Sequence, residues 1–258
     1  ISDKGKILGT LVVLDNVTEK RQFDQIRRDF VGNVSHELRT PITSIQGFVE
    51  IIQDDDELEL KDRKHFMKII DRQTKRLGAI IEDLLSLSRL DQIQDPQSLA
   101  KNWHRLNGLF NSARDLCSQL ASSKKITLEF HREDHLEIKM NQGLMEQALV
   151  NLVNNAIKYS PENTRVQVEI QEEENFLLLK VTDQGPGIPE EHQSRLFERF
   201  FRVDKARSRA AGGTGLGLSI TKHIARLHNS QIGLKSVVGE GSTFYLEIPI
   251  SMVRNLTQ

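Results

Sequence analysis

The chain has 258 residues, a length that suggests two domains, one helical module and one compact core. Its 35 Lys and Arg residues and 36 Asp and Glu residues leave a net charge of -1. This balance argues against nucleic acid or an anionic membrane surface as the main partner. The single cysteine, Cys117, excludes an internal disulfide and a thiolate metal cluster, and is typical of a reducing compartment. No apolar run approaches the ~20 residues of a membrane helix, so the sequence predicts a soluble chain.

Residues 6–15 (Lys-Ile-Leu-Gly-Thr-Leu-Val-Val-Leu-Asp) form a β-rich segment with no sibling strands before it. A lone strand leaves its backbone hydrogen bonds unsatisfied, so we expect residues 1–21 to be the remnant of an upstream domain and its linker. The alternative is an N-terminal strand that joins another sheet. A helix is predicted to begin near Thr18.

His36 lies on a predicted helix whose other face is an apolar stripe. The stripe has the alternating three- and four-residue steps of a coiled-coil seam and consists of Val31, Val34, Leu38, Ile45, Phe48 and Ile52, with Pro41 in one seam position. Heptad counting places His36 opposite this seam, exposed to solvent. An exposed imidazole is largely neutral at cellular pH and keeps a lone pair for nucleophilic attack. The alternative is an ordinary solvated helix face with a chance histidine.

The neighbours of His36 favour a catalytic role. Glu37 can accept the second ring N–H and stabilise the positive charge that develops on attack. Thr40 lies one turn later on the same face, within reach of a group attached to His36. Pro41 removes a helical N–H and predicts a bend one turn beyond the histidine.

A second amphipathic helix follows an acidic run at residues 53–57, which reads as a loop. Its seam residues are Phe66, Ile70, Gln73, Leu77, Ile80, Leu84 and Leu87. Two such helices form an antiparallel hairpin that leaves its apolar stripe half covered. Pairing two copies into a four-helix bundle would cover it, so we predict a homodimer.

Asp95-Pro96 marks a linker, placed at residues 94–100, between a dimerisation domain at 22–93 and a second domain at 101–258. Helices are predicted at residues 106–121, at 142–158 and after Thr214. Strands are predicted at residues 126–130, 136–140, 166–170, 176–182, 231–236 and 243–249. The second domain is therefore expected to be an α/β sandwich, with helices on a sheet.

Four segments of this domain point to a nucleotide. They are residues 151–155 (Asn-Leu-Val-Asn-Asn), 183–187 (Asp-Gln-Gly-Pro-Gly), 197–202 (Phe-Glu-Arg-Phe-Phe-Arg) and 212–217 (Gly-Gly-Thr-Gly-Leu-Gly). No Gly-x-x-x-x-Gly-Lys-Ser/Thr motif occurs, and the glycines lack Gly-x-Gly-x-x-Gly spacing after a strand, which disfavours P-loop and Rossmann sites.

Together these segments resemble the catalytic portion of a two-component sensor histidine kinase. Residues 36–41 (His-Glu-Leu-Arg-Thr-Pro) match the phosphoacceptor motif, the four segments match the asparagine, first glycine, phenylalanine and second glycine boxes, and residues 239–243 match a third glycine segment. The resemblance covers residues 22–250 and implies a GHKL (Bergerat) sandwich that binds ATP and Mg²⁺. Residues 5–21 more weakly resemble the end of a PAS sensor domain.

Physical roles can be assigned beside the resemblance. Asn155 offers an amide oxygen to Mg²⁺, Lys158 a positive charge to phosphate, and Tyr159 a ring to one face of the adenine. Asp183 can accept the adenine amino N–H, and Gly185 lets the backbone approach the base.

The remaining predicted nucleotide-binding residues lie around the glycine boxes and the phenylalanine box. Glycines free the second glycine loop to move, and N–H groups at the following helix start can meet phosphate oxygens. The set is Asn151, Gly187, Ile188, Arg199, Phe200, Arg202, Gly213, Thr214, Gly215, Leu216, Gly217, Leu218 and Thr243. Taken singly, each has an ordinary alternative role in a turn, a helix face or packing.

Asn151 separates two reaction types. ATPases of the gyrase, Hsp90 and MutL type carry Glu four residues before the metal-binding Asn, as base for an attacking water. An amide cannot take a proton, so Asn151 favours transfer to His36. The chain also departs from the family at Asn141, where Asp is usual, and at residues 228–230 (His-Asn-Ser), which replace His-Gly-Gly. We expect effects on capping and turns, and a left-handed Asn229 is one option.

The sequence thus predicts that His36 is phosphorylated by Mg·ATP and passes the group to an aspartate of a response regulator. The resemblance further implies dephosphorylation of that regulator, with Thr40 orienting water, and an upstream sensor domain. It also implies the cytoplasmic portion of a membrane-anchored bacterial kinase. The alternatives are a GHKL-type ATPase and a dimeric scaffold that binds nucleotide without phosphorylating itself.

Overall fold

The computed structural model describes residues 2–3, 6–7, 18–55, 58–93, 95–131, 135–204 and 213–256. At the N-terminus, β1 (Ser2–Asp3) pairs antiparallel with β2 (Lys6–Ile7). The rest of the predicted strand, residues 8–15, lies outside the described residues.

Two long helices form the predicted hairpin, α1 (Thr18–Asp54) and α2 (Leu60–Asp91). Helix α1 continues through Pro41, and the bend expected there stays a prediction. The rings of Phe48 and Phe66 lie 5.2 Å apart and join the helices near the loop. Ile80 and Leu87 are fully buried, which confirms the apolar seam of α2. Val31, by contrast, is 57% exposed in the single chain.

A small antiparallel sheet, which the sequence did not predict as a unit, begins the second domain. Its central strand β5 (Leu136–Met140) pairs on one side with β3 (Asn102–Arg105) and on the other with β10 (Val253–Asn255). The two outer strands have four and three residues. Segments this short carry too little alternation to be recognised from sequence.

The main sheet has five strands in the order β4-β6-β7-β9-β8. They are β4 (Thr127–Phe130), β6 (Arg165–Glu172), β7 (Phe176–Asp183), β8 (Gln231–Val237) and β9 (Gly241–Pro249). Only the β4–β6 pair is parallel. Every second side chain of β7, including Leu177, Leu179 and Val181, is fully buried, as alternation on a half-covered sheet requires.

The predicted helices are also present. They are α3 (Leu106–Ser123), α4 (Gln142–Tyr159) and the helix at Gly217–Leu227, named α6; a one-turn α5 (Glu190–Gln193) and a 3-10 turn at Ile250–Met252 were not predicted. Helix α4 contacts both α3 and α6 and lies against β6 and β7. These contacts confirm the helix-on-sheet sandwich. In the part of the chain described, no helix has the length and apolar character needed to cross a membrane.

The two segments of this domain that depart from the family pattern are in contact. Asn141 caps α4 by accepting the N–H of Leu144 at 3.2 Å, and its own N–H donates to Nε2 of His228 at 3.0 Å. Nδ1 of the buried His228 ring lies 2.8 Å from the Ile224 carbonyl oxygen. Asn229 has φ 51°, the left-handed conformation that was expected.

Candidate functional site

His36 lies on an exposed surface of α1, as predicted. Thr40, one turn later, donates its hydroxyl to the carbonyl oxygen of His36 at 3.1 Å. The backbone bond holds the Thr40 side chain on the His36 side of the helix. The imidazole itself is reachable from solvent, which a nucleophile toward a large substrate requires.

The carboxylate of Glu37 is enclosed by two arginines. Arg76 of α2 donates to Oε2 at 2.6 Å, and Arg202, far along the chain in the second domain, donates to the same oxygen at 3.1 Å. The exposed fractions of the three side chains are 13% for Glu37, 6% for Arg76 and 4% for Arg202. A largely buried carboxylate bound by two guanidinium groups makes contacts that resist separation. The predicted role of Glu37 beside the His36 ring stays a prediction.

A cavity of about 180 Å³ lies in the second domain between α4, the end of β7 and the start of α6. Nine of the predicted residues line it: Asn155, Tyr159, Asp183, Gly187, Ile188, Arg202, Gly215, Gly217 and Leu218. Its other lining residues were not predicted from sequence: Pro186, Leu196, Phe201, Val203, Asp204, Ser242 and Phe244. The predicted segments thus converge on one mainly apolar pocket with a few polar groups, the usual character of a small-molecule site.

Asp183 is the buried acid of this cavity, only 6% exposed at the last position of β7. Its Oδ1 accepts the N–H of Gly185 at 2.7 Å. Burial raises the pKa of Asp183 to about 6, although backbone N–H groups of Gly185 and Ser242 act in the opposite direction. Near neutral pH the group is therefore a charged acceptor facing an apolar pocket, which suits an N–H donor on a flat ring.

The glycines after Asp183 occupy two points where a Cβ has no room. A Cβ on Gly185 would lie 2.7 Å from Oδ1 of Asp183. At Gly187 the φ angle is +69°, and a Cβ would lie 2.0 Å from the carbonyl oxygen of Val237. Any larger residue at Gly187 would have to displace backbone, so this glycine sets the shape of the pocket floor.

Helix α4 supplies the opposite wall. Asn155 and Tyr159, four residues apart on one helix face, both line the cavity, and Tyr159 is 37% exposed. Asn151, one turn earlier, donates its amide to the carbonyl oxygen of Gly217 at 3.3 Å. The Asn151 amide therefore connects α4 to the first residue of α6. An amide in this position offers no base for water activation.

The loop before α6 is bound to the phenylalanine box and to the hairpin. The N–H of Phe200, whose φ angle is 64°, donates to the carbonyl oxygen of Gly215 at 2.8 Å, and Gly215 has φ +78°. Thr214 donates its hydroxyl to the Asp83 carboxylate on α2 at 2.6 Å and accepts the N–H of Leu216 at 3.2 Å.

Lys158 faces the same acid, Asp83. Burial lowers the pKa of Lys158, and the negative charge of Asp83 opposes this change. The pKa of Asp83 is raised by burial, while the hydrogen bond from Thr214 and the charge of Lys158 lower it. The three residues form one polar cluster between α4, α2 and the glycine loop.

Other predicted residues make contacts around the cavity. Arg199 donates to both carboxylate oxygens of Asp91, each at 3.0 Å, and its guanidinium lies 5.0 Å from the centre of the Phe30 ring. Thr243 shares a hydroxyl hydrogen bond of 3.0 Å with Thr182. Leu216 is fully buried, and Gly213 is half-buried at the start of the loop.

Sequence reasoning missed Arg76 and Asp83, which contact site residues from the hairpin. They lie seven residues apart on α2, directly before the seam residues Leu77 and Leu84. Charged residues at this spacing beside a seam are normally solvated. Only their burial against the second domain reveals a different role.

The residues present fit an adenine nucleotide with Mg²⁺. A buried carboxylate faces an apolar pocket, an aromatic residue stands at its edge, and the Asn155 amide lines it. No cluster of three or more His, Cys, Asp or Glu side chains forms a cation site within the described ranges. A metal ion held by Asn155 would therefore take its other ligands from phosphate and water, as Mg²⁺ commonly does.

Comparisons with known proteins agree with this site. The family model described as His Kinase A (phospho-acceptor) domain matches residues 26–93. The model described as Histidine kinase-, DNA gyrase B-, and HSP90-like ATPase matches residues 140–252. Each covers one of the two structural parts, the hairpin and the sandwich.

Similar whole proteins are sensor kinases. The sensor histidine kinase WalK of Bacillus subtilis (strain 168) is 37% identical over 253 residues, which are 96% of this chain and 40% of that protein. The chain thus spans less than half the length of this relative. Among solved structures, histidine kinase ThkA in complex with response regulator protein TrrA has a TM-score of 0.68 at 26% identity and covers 90% of this chain and 64% of that chain. Acinetobacter baumannii histidine kinase AdeS has a TM-score of 0.62 at 25% identity and covers 83% of this chain and 97% of that chain.

Proposed function

Because this chain belongs to the two-component sensor histidine kinases, of the WalK and PhoR type, we propose that its sandwich domain binds Mg·ATP and that His36 accepts the γ-phosphoryl group. One observation carries the proposal. Arg202 lines the nucleotide cavity and also binds Glu37, the residue next to the exposed His36. The contact connects the lining of the cavity to the residue beside His36.

The nucleotide is held mainly by its base. Asp183 accepts the amino N–H of adenine, and Tyr159 covers one face of the ring. Asn155 would hold Mg²⁺, which supplies charge neutralisation on the phosphates. Most of the rate enhancement would then come from positioning and electrostatics.

At His36, a neutral ring nitrogen attacks the γ-phosphorus in line. A nitrogen–phosphorus bond forms, the bond from that phosphorus to the bridging oxygen breaks, and ADP leaves with the electron pair. The second ring nitrogen carries the proton, which a carboxylate such as Glu37 can accept through a hydrogen bond. Such an arrangement requires Glu37 to exchange at least part of its present arginine contacts.

The phosphoryl group would then pass to an aspartate of a response regulator. Support comes from the exposed His36 surface and from the solved relative, ThkA, that is bound to a regulator. We also propose a phosphatase activity in which Thr40 orients the attacking water. In the structure its hydroxyl bonds to the backbone of its own helix, so this role requires a side-chain rotation.

A homodimer through the hairpin would cover its exposed apolar side chains. Ile42, Ile51, Met67, Ile81 and Leu85 are between 41% and 55% exposed in the single chain. A four-helix bundle from two hairpins buries such a surface.

The same proposal includes the domain boundaries at residues 22–93, 94–100 and 101–258. It also includes an upstream PAS-like sensor domain that ends near residue 21 and a membrane anchor elsewhere in the protein.

Incubation with γ-labelled Mg·ATP tests the kinase. We expect label on the protein that is stable to alkali and labile to acid, as a phosphoramidate is, and absent from His36→Ala. His65→Ala is the matched control, because His65 is also exposed on the hairpin. Labelling of His36→Ala equal to the parent would refute the assignment of His36. Phosphate release without protein labelling would identify an ATPase instead.

Normal ATP binding by Asp183→Asn would refute the adenine contact.

A further inference from the structure

Acidic residues of the hairpin hold polar groups at the phosphate end of the nucleotide site. Thr214 of the glycine loop donates to Asp83 at 2.6 Å, and Lys158 of α4 faces the same carboxylate. Arg202, which lines the cavity, donates to Glu37 at 3.1 Å. Two donor groups of the sandwich domain, on Thr214 and Arg202, thus bind carboxylate oxygens of α2 and α1, and the charge of Lys158 acts on the Asp83 carboxylate.

These contacts lie in a largely buried junction. The Arg202 side chain is 4% exposed, and its Nε atom, which is buried, has no hydrogen-bond partner among the described residues. Its guanidinium therefore has donor capacity that Glu37 does not use. Charged contacts in such an environment are strong and are exchanged only for another anion.

Carboxylate and phosphate oxygens accept from the same donors. Lys, Arg and Thr side chains bind both, and the individual O–H of Thr214 or N–H of Arg202 that serves a carboxylate oxygen, at 2.6 and 3.1 Å respectively, is not available to a phosphate oxygen at the same time. At the adenine end of the site, by contrast, Asp183 accepts its hydrogen bond from the N–H of Gly185, a residue of the sandwich domain itself and not of the hairpin.

We propose that Glu37 and Asp83 compete with the nucleotide phosphates for Arg202, Thr214 and Lys158. The docked hairpin then lowers the affinity for ATP and ADP but not for adenosine. Linkage makes the effect reciprocal: phosphate binding releases Glu37 and Asp83, and the sandwich domain leaves the hairpin. Arg76, which also binds Glu37, keeps that carboxylate on the hairpin beside His36 when Arg202 leaves. This inference rests on the proposed function.

The variant Asp83→Asn tests the competition. It keeps an acceptor for Thr214 but removes the charge that faces Lys158. We expect the dissociation constant of Mg·ADP, measured by calorimetry, to fall about 5-fold or more, and that of adenosine to change less than about 2-fold. Asp71→Asn is the matched control, since Asp71 lies on the same helix, is 61% exposed and pairs with Lys75. It should leave both constants unchanged.

Failure of this inference differs from failure of the proposed function. The competition would be overturned if Asp83→Asn bound Mg·ADP as Asp71→Asn does, or more weakly. It would also be overturned if the affinity of Asp83→Asn for adenosine rose as much as its affinity for Mg·ADP. A parent protein that binds neither ligand would overturn the nucleotide site itself. If circular dichroism shows that Asp83→Asn is unfolded, Glu37→Gln replaces it. That variant frees Arg202 and must show the same preference for the phosphorylated ligand.

Discussion

Acidification should weaken adenine binding, because Asp183 loses its charge. Burial raises the pKa of Asp183 to about 6 from an ordinary value of 3.8, and the N–H groups of Gly185 and Ser242 reduce this rise. Only the ionised carboxylate offers both oxygens as acceptors to the adenine amino group. The affinity of the pocket for adenine should therefore follow the ionised fraction of Asp183.

The size of the effect follows from that pKa. With a pKa of about 6, the ionised fraction is about 0.99 at pH 8 and about 0.09 at pH 5, so affinity falls about 11-fold, or about 1.4 kcal/mol. The stability of the ligand-free protein should respond in the opposite direction. A raised pKa gives a contribution to stability that is fully present below the unfolded value and is lost as pH rises through about 6.

Adenosine is the suitable probe because it carries no phosphate to titrate. Its dissociation constant is measured at pH 5, 6, 7 and 8 by calorimetry or by NMR shifts. Asp183→Asn should bind more weakly with no dependence on pH over this range. Asp204→Asn, the same change at an exposed residue of the cavity, should keep the dependence of the parent. An affinity of the parent that is constant from pH 5 to pH 8 would refute the assignment of Asp183 to the base.

Three further results are expected. Gly187→Ala should lower the unfolding free energy in urea by about 1 to 3 kcal/mol more than Gly239→Ala. Both glycines have positive φ, but only at Gly187 does a Cβ meet backbone atoms, so equal losses would contradict the contact. Lys124→Met should lower the unfolding free energy by about 2 to 3 kcal/mol, because the Lys124 ammonium donates to three carbonyl oxygens at the end of α4. Lys125→Met, at an exposed neighbouring position, should lower it little. Burial lowers the pKa of His228 from 6.5, so the unfolding free energy of the parent should fall as pH falls below that value. The unfolding free energy of His228→Gln should fall less steeply with pH, and equal slopes for the two proteins would show that His228 is not the cause.

Periodicity was sufficient to predict the main helices and strands. The hairpin helices and α4 have long periodic patterns of apolar residues, and such a pattern predicts a helix whatever the helix packs against. The strands β3 and β10 were missed because each is short and becomes a strand only by pairing with β5. Their partner lies more than 30 residues away from β3 and more than 100 from β10.

The cavity was predictable to a similar degree. Asn155 and Tyr159 share a face of one helix by spacing alone, and Asp183 ends a strand, so local geometry already pointed them toward a common site. The part played by Leu196 and Phe244 in lining the cavity could not be deduced, because the sequence does not show whether a hydrophobic residue packs in the core or lines a cavity.

The sequence by itself determined the two parts of this protein, the exposed histidine and many of the residues that line the cavity, because each depends on contacts within a few turns of helix or along one strand. The tertiary structure alone decided how the parts meet. Glu37 binds Arg76 across 39 residues of chain and Arg202 across 165, and Thr214 reaches Asp83 across 131. Such pairs depend on the relative position of two folded units. They hold the sandwich domain against the hairpin.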